Sequence, residues 1–126
     1  MIKRRTKYID ISDIIESYIQ PRVKSECERL GIPPSFIDGI YGIYPEVFGA
    51  ASCCEPVREG TTIKAVRIRI DSEIRCPQKA LRHFWHELRH AKDIYENKKS
   101  PEWKADLYAW KRCLCQLLDR DFPGCV

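Results

Sequence analysis

Of the three histidines between Pro77 and Tyr95, two, His86 and His90, stand four positions apart, with Glu87 directly after His86. Side chains at i and i+4 stand one above the other only on an α-helix, so the two imidazoles can address a common point only if this stretch is helical. The apolar residues agree: Leu81, Phe84, Trp85, Leu88 and Tyr95 recur at helical spacing and collect on one side, with His86 and His90 roughly opposite. A helix over Pro77–Tyr95 is therefore predicted, with one wall in a core, the histidines facing away, and Pro77 in the first turn, where its missing N–H costs nothing.

The rest of the chain must supply that core. At 126 residues a domain buries roughly two thirds of the surface its unfolded chain exposes, enough to fold without metal or disulfide staples. One domain spanning 1–126 is expected, and a metal bound to it would be functional rather than structural. From Asp10 to Leu30, Ile11, Ile14, Ile15, Tyr18 and Ile19 keep helical spacing. Pro21 is expected to kink or break this helix, and Gly31 with Pro33-Pro34 to end it. From Asp38 to Asp71 the pattern changes to short β-rich runs: Ile40–Tyr44, Val47–Ala51 and Thr62–Ile70. In the last of these Val66, Ile68 and Ile70 alternate with Arg67 and Arg69, which places a core face opposite a cationic one. A final helix from Pro101 to about Asp119 is expected to have Ser100 as its N-cap, after a turn at Asn97-Lys98-Lys99. The fold class read from this order is α+β: an N-terminal helix, a small, mainly antiparallel sheet of about three strands, and two antiparallel helices.

Composition removes several classes of function. The net charge of +4 comes from 22 basic and 18 acidic residues spread over the whole chain, too weak and scattered to argue for nucleic acid. No apolar run approaches the ~20 residues of a membrane span. The basic start Met1–Tyr8 lacks the apolar stretch of a signal peptide, so a cytoplasmic setting without membrane partners is expected. Seven cysteines, at 27, 53, 54, 76, 113, 115 and 125, show no CxxC spacing and so form neither a zinc ribbon nor a thioredoxin motif. Cys53-Cys54 and Cys113/Cys115 are candidate disulfide partners, with small buried residues as the alternative.

His86-Glu87-Leu88-Arg89-His90 reads HExxH, in which both imidazoles reach one zinc ion and Glu87 stands beside the water to be activated. Such a site needs a third protein ligand. Glu102, in the first turn of the following helix, is the candidate, with Asp93 and Asp106 as rivals. An acidic residue after Ser-Pro is also favoured there by the helix dipole alone. Glu102, Ala105, Asp106, Ala109 and Cys113 form a stripe of mostly small residues, which would let this helix approach the histidine helix closely. Asp106, one turn beyond Glu102, is then placed to accept a hydrogen bond from a ligand imidazole, that of His86. His83 cannot join both other histidines in one compact site and is expected to support the site or face solvent. Arg67 and Arg69 could recognise acidic peptide, although a solvated strand face explains them as well.

HExxH followed by a separate helix carrying ExxxD resembles the gluzincin metallopeptidases, and among them the minimal single-domain minigluzincins. The resemblance covers roughly residues 61–115. It implies a zincin-like fold, one zinc ion per chain held by His86, His90 and Glu102, Glu87 as general base and acid, and Asp106 supporting a ligand histidine. It further implies hydrolysis of a peptide or protein substrate by a metal-activated water, with Thr62–Ile70 as the cleft rim that pairs with extended substrate. No histidine follows His90, so the downstream histidine that larger relatives direct at the oxyanion has no counterpart; Tyr41, Tyr44, Tyr95, Tyr108 and Arg67 are the candidate donors. Residues 119–126 could act as a regulatory tail, with Cys125 as a thiolate to the metal. The alternative reading is a non-catalytic zinc-binding interaction module of the same fold that meets an acidic partner through Lys3, Arg4, Arg5 and Lys7.

Overall fold

The computed structural model of the protein describes residues 10–44 and 52–117. In chain order the elements are α1 (Ile11–Ile14), a π-helical turn (Ile15–Ile19), α2 (Gln20–Leu30), a 3-10 turn (Pro34–Phe36), β1 (Ile37–Ile43), β2 (Cys53–Glu59), β3 (Thr62–Asp71), α3 (Pro77–Tyr95) and α4 (Glu102–Leu117). The architecture is α+β, with a three-stranded sheet of order β1-β3-β2. The predicted run Val47–Ala51, the basic N-terminal residues, Cys125 and the tail 119–126 lie outside the described residues.

Pro21 shapes the first helix as its chemistry requires. It supplies no amide to the helical ladder and crowds the preceding turn, and the residues just before it open into the wider π turn. The chain continues as α2 and stops at Gly31, whose φ of 78° is open to glycine without a Cβ penalty. The Ile32 amide then donates to the Cys27 carbonyl at 3.0 Å, closing the helix end. Ile14, Ile19 and Cys27 from this segment are fully enclosed.

The sheet departs in one of its two pairings from the expected, mainly antiparallel arrangement. β2 and β3 form a hairpin across Gly60-Thr61, with Cys54 opposite Ile68 and Glu59 opposite Thr62, whereas β1 pairs with the other side of β3 in parallel. The sheet is therefore mixed. Gly60, with φ 66°, takes the glycine-first position of a tight two-residue hairpin turn, and this turn lies between β2 and β3 rather than after β1. β2 itself contains Pro56, which a strand tolerates only at a sheet edge, and an edge is where β2 lies.

This order also corrects the assignment of the cleft rim. β3 is the central strand with hydrogen-bonded neighbours on both sides, so its backbone cannot accept another strand. Among the described residues the edge beside α3 belongs to β2. The alternation within β3 follows its pattern: Val66, Ile68 and Ile70 are fully buried, and Arg67 and Arg69 emerge on the other face. There Arg67 pairs with Asp38 at 3.0 Å and Arg69 with Glu55 at 3.1 Å, contacts from the flanking strands that account for both arginines without a ligand.

Leu81, Phe84, Trp85 and Leu88 of α3 close the other side of the core at zero exposure, together burying on the order of 8 kcal/mol of apolar transfer free energy at 1.5–3 kcal/mol per side chain. After α3 the chain reverses at Asn97, whose φ is 57°, and the Lys98 amide donates to the Asp93 carbonyl at 2.8 Å. α4 then returns along α3 with Ala105 and Ala109 buried at the contact. Behind it, Glu26 of α2 is buried and accepts from Arg112 Nε at 3.2 Å and from Tyr108 Oη at 3.1 Å, while the Arg112 guanidinium lies 5.4 Å from the centroid of the Trp85 ring. Cys76 is disulfide-bonded. Cys27, Cys53, Cys54, Cys113 and Cys115 are free, so neither of the anticipated cysteine pairs is a disulfide.

Candidate metal centre

Helix periodicity sets His86 and His90 one turn apart on the open side of α3, with their Nε2 atoms 3.3 Å from each other. The α4 helix brings Glu102 across both: one carboxylate oxygen is 2.9 Å from His86 Nε2 and the other 3.0 Å from His90 Nε2. The ligand atoms of His86, Glu87 and His90 all lie within 4.8 Å of one another. Two imidazole nitrogens and two carboxylates therefore converge on one small volume.

Each imidazole is oriented from its far side. His86 Nδ1 lies 2.8 Å from Asp106 Oδ1. An ionised carboxylate only accepts, so Nδ1 donates to Asp106 and Nε2 is the nitrogen directed at the centre, where a metal ion would take its lone pair. His90 Nδ1 is hydrogen-bonded to Ser100 Oγ. The expected N-cap thus turns its hydroxyl to a histidine, and α4 begins at Glu102. Nothing in the spacing singled out Ser100 for this role, although the need of each ring for an Nδ1 partner was a usable signal.

The electrostatics differ sharply between the two glutamates. Glu87 is only 6% exposed, and burial pushes its carboxyl up to about 7, with His86 opposing and Glu102 adding to the rise. Glu102 is open to solvent; desolvation acts to raise its carboxyl, but His90 and His86 together outweigh it and hold the group below its ordinary value. One carboxylate is thus prepared to exchange a proton and the other to stay charged.

The spacing of the two imidazole nitrogens is compatible with a tetrahedral metal ion such as zinc. Zinc–nitrogen distances of 2.0–2.1 Å imply a ligand-to-ligand edge of about 3.3–3.4 Å, and the Nε2 separation is 3.3 Å. Of the rival third ligands, Asp93 is buried and bound to Arg89 at 2.7 Å, and Asp106 occupies the Nδ1 side of His86, away from the convergence point.

Two cavities open onto these residues. A smaller one of about 380 Å³ is lined by Cys53 and Cys54 from the start of β2, together with Glu87, His90 and Glu102. A larger one of about 830 Å³ runs along α3 and α4 past Arg82, His83, Glu87, Trp103 and Trp110. His83 lies half-buried in its wall, with Nδ1 2.8 Å from Ser52 Oγ, which accepts in turn from the Asp71 amide at 3.0 Å. Burial, with the nearby Arg82 charge, holds His83 below its usual range. Tyr41, Tyr44, Tyr95, Tyr108 and Arg67 line neither cavity; Tyr95 packs edge-on against Phe36 and Tyr108 is bound to Glu26. Ser52, Arg82 and the two tryptophans were not anticipated, because their relevance depends on which faces of α3, α4 and β2 share a cavity.

Among the described residues no helix is long and apolar enough to cross a membrane. Comparison of the chain with protein-family models, with curated proteins and with solved structures finds no match.

Proposed function

We propose that the protein is a zinc-dependent metallopeptidase of gluzincin type, with a zincin-like fold and one zinc ion per chain. The observation that carries this reading is the convergence of His86 Nε2, His90 Nε2 and the Glu102 carboxylate beside the buried Glu87, with Asp106 and Ser100 behind the two imidazoles. A zinc ion held there supplies Lewis acidity, polarising a scissile carbonyl and lowering the pKa of water to about 7.

The protein's own groups do the rest. Glu87, enclosed beside the two imidazoles, takes the proton of the attacking water and passes it to the leaving amine. Asp106 and Ser100 hold the imidazole planes. An extended peptide or protein substrate adds to the outer edge of β2, where Cys53 and Cys54 border the smaller cavity.

A second reading, a zinc-binding interaction module without hydrolytic activity, draws support from one observation: none of the tyrosines named as oxyanion donors lines the site. Elemental analysis of untagged protein tests the centre. About one zinc per chain, strongly reduced in Glu102→Ala, is expected, and no zinc in either protein after reconstitution would overturn both readings. Glu87→Gln then separates them: the peptidase keeps its zinc and loses hydrolysis, whereas the interaction module has none to lose.

A further inference from the structure

α4 leaves an unusual amount of aromatic surface in solvent. Trp103 is 63% exposed, Trp110 59% and Leu107 43%. At spacings of four and three these residues form one stripe, and all three line the 830 Å³ cavity that also contains His86 and Glu87. A volume of this size accommodates several residues of a ligand. The stripe therefore forms a wall of the path into the candidate metal centre.

The cavity lining carries charges of both signs, Arg82 together with Glu87 and Asp106. Glu102 and Asp106 are engaged by the histidines, and Arg112 is committed to Glu26. Arg82 in the cavity wall is exposed, and neither it nor Lys104 and Lys111, which flank the stripe, has an ion-pair partner among the described residues. An anionic group of a bound ligand is complemented by the unpaired Arg82 in that wall.

The spacing along α3 bears on which anion this is. Arg82 precedes His86 by one helical turn, about 6 Å along the axis. An extended peptide advances about 3.3 Å per residue, so a carboxylate one or two residues beyond a bond held at the metal centre falls within reach of the guanidinium. We propose that this groove binds the carboxyl-terminal end of a peptide, with a bulky apolar side chain against Trp103 and Trp110 and the terminal carboxylate on Arg82. The protein would then release short C-terminal fragments. This inference rests on the metallopeptidase reading and narrows its substrate class.

The test is binding of acetyl-Gly-Gly-Phe, as free acid and as C-terminal amide, to the Glu87→Gln protein, as purified and after metal removal. It is read by tryptophan emission, because Trp103 and Trp110 are exposed and Trp85 is enclosed. The acid is expected to shift the emission to the blue and to bind about five-fold more tightly than the amide, the strength of a partly exposed ion pair. Arg82→Ala should erase that preference, and Trp110→Ala should weaken both ligands about ten-fold. Equal affinity for acid and amide, or a preference that survives Arg82→Ala, overturns the proposal. So does sedimentation as a dimer that Trp110→Ala converts to monomer, which would assign the stripe to a second copy. The carboxylate preference is read without metal, so metal-stripped protein that shows it while failing to take up zinc would refute the peptidase reading alone.

Discussion

Asp106 Oδ1 stands 2.8 Å from His86 Nδ1, one turn along α4 from the Glu102 carboxylate that meets the Nε2 atom of the same ring. Two carboxylates of one helix thus grip opposite nitrogens of one imidazole on another. The arrangement fixes the plane of the ring and decides which nitrogen faces the centre, before any ion is considered. It also makes the register between α3 and α4 the controlling geometric variable of the site.

Asp106→Ala removes the acceptor that orients His86 while leaving all three proposed ligands in place. Zinc affinity is expected to fall 10–100-fold, with Asp106→Asn recovering part of the loss because an amide oxygen still accepts. Chelator competition against the wild type, with circular dichroism as the check on folding, measures this. An unchanged affinity would show that the contact is incidental.

Ser100 plays the corresponding part for His90. Ser100→Ala should weaken zinc binding in the same direction, and Ser100→Thr, which keeps the hydroxyl, should restore it. Comparison of the two in the same competition assay separates loss of the hydroxyl from disturbance of the helix start, since the threonine also suits that position.

Glu26 has 3% of its surface exposed and receives hydrogen bonds from Tyr108 and Arg112. Glu26→Ala leaves a largely buried guanidinium without its counter-ion, and a loss of about 3–5 kcal/mol is expected from removing one member of a buried pair. Urea titration followed by far-ultraviolet circular dichroism gives the value. Glu26→Gln should lose less, since it still accepts from both donors. Because this cluster holds α4 against α2, Glu26→Ala should also weaken zinc binding without touching a ligand.

Cys27 is fully enclosed, and burial, with Glu26 and Glu28 adding, pushes its thiol up to about 11. The sign follows from linkage: the folded state holds this proton more tightly than the unfolded chain, so its contribution to stability is complete below pH 9 and is lost as pH rises toward 11. Iodoacetamide at pH 8 is therefore expected to label the exposed Cys115 and leave Cys27 untouched, and labelling of Cys27 should begin only as the fold loosens in alkali. Peptide mapping by mass spectrometry reads both sites. Rapid labelling of Cys27 at pH 8 would contradict the enclosed position.

Local patterns were the most legible part of the chain. Helical spacing placed α3 at Pro77–Tyr95, where the structure has it, because side-chain direction along a helix follows from backbone dihedrals alone. The same holds for the buried face of β3 and the break near Pro21. The sheet was legible only in part. A turn glycine and an edge proline fit β2 once the sheet order is known, but no local rule says on which side of β3 the first strand pairs or in which direction.

What the sequence by itself determined is the presentation of His86, Glu87 and His90 on one helix and the availability of carboxylates on the next. Tertiary structure decided how they meet. The reversal at Asn97 and the close approach permitted by Ala105 and Ala109 set the register that puts Glu102 on both Nε2 atoms, Asp106 behind one ring and Ser100 behind the other. The same packing left Trp103, Trp110 and Arg82 lining one cavity. These relations join residues far apart in the chain, and they are selected by the packing of whole elements against a shared core rather than by any spacing along a single one.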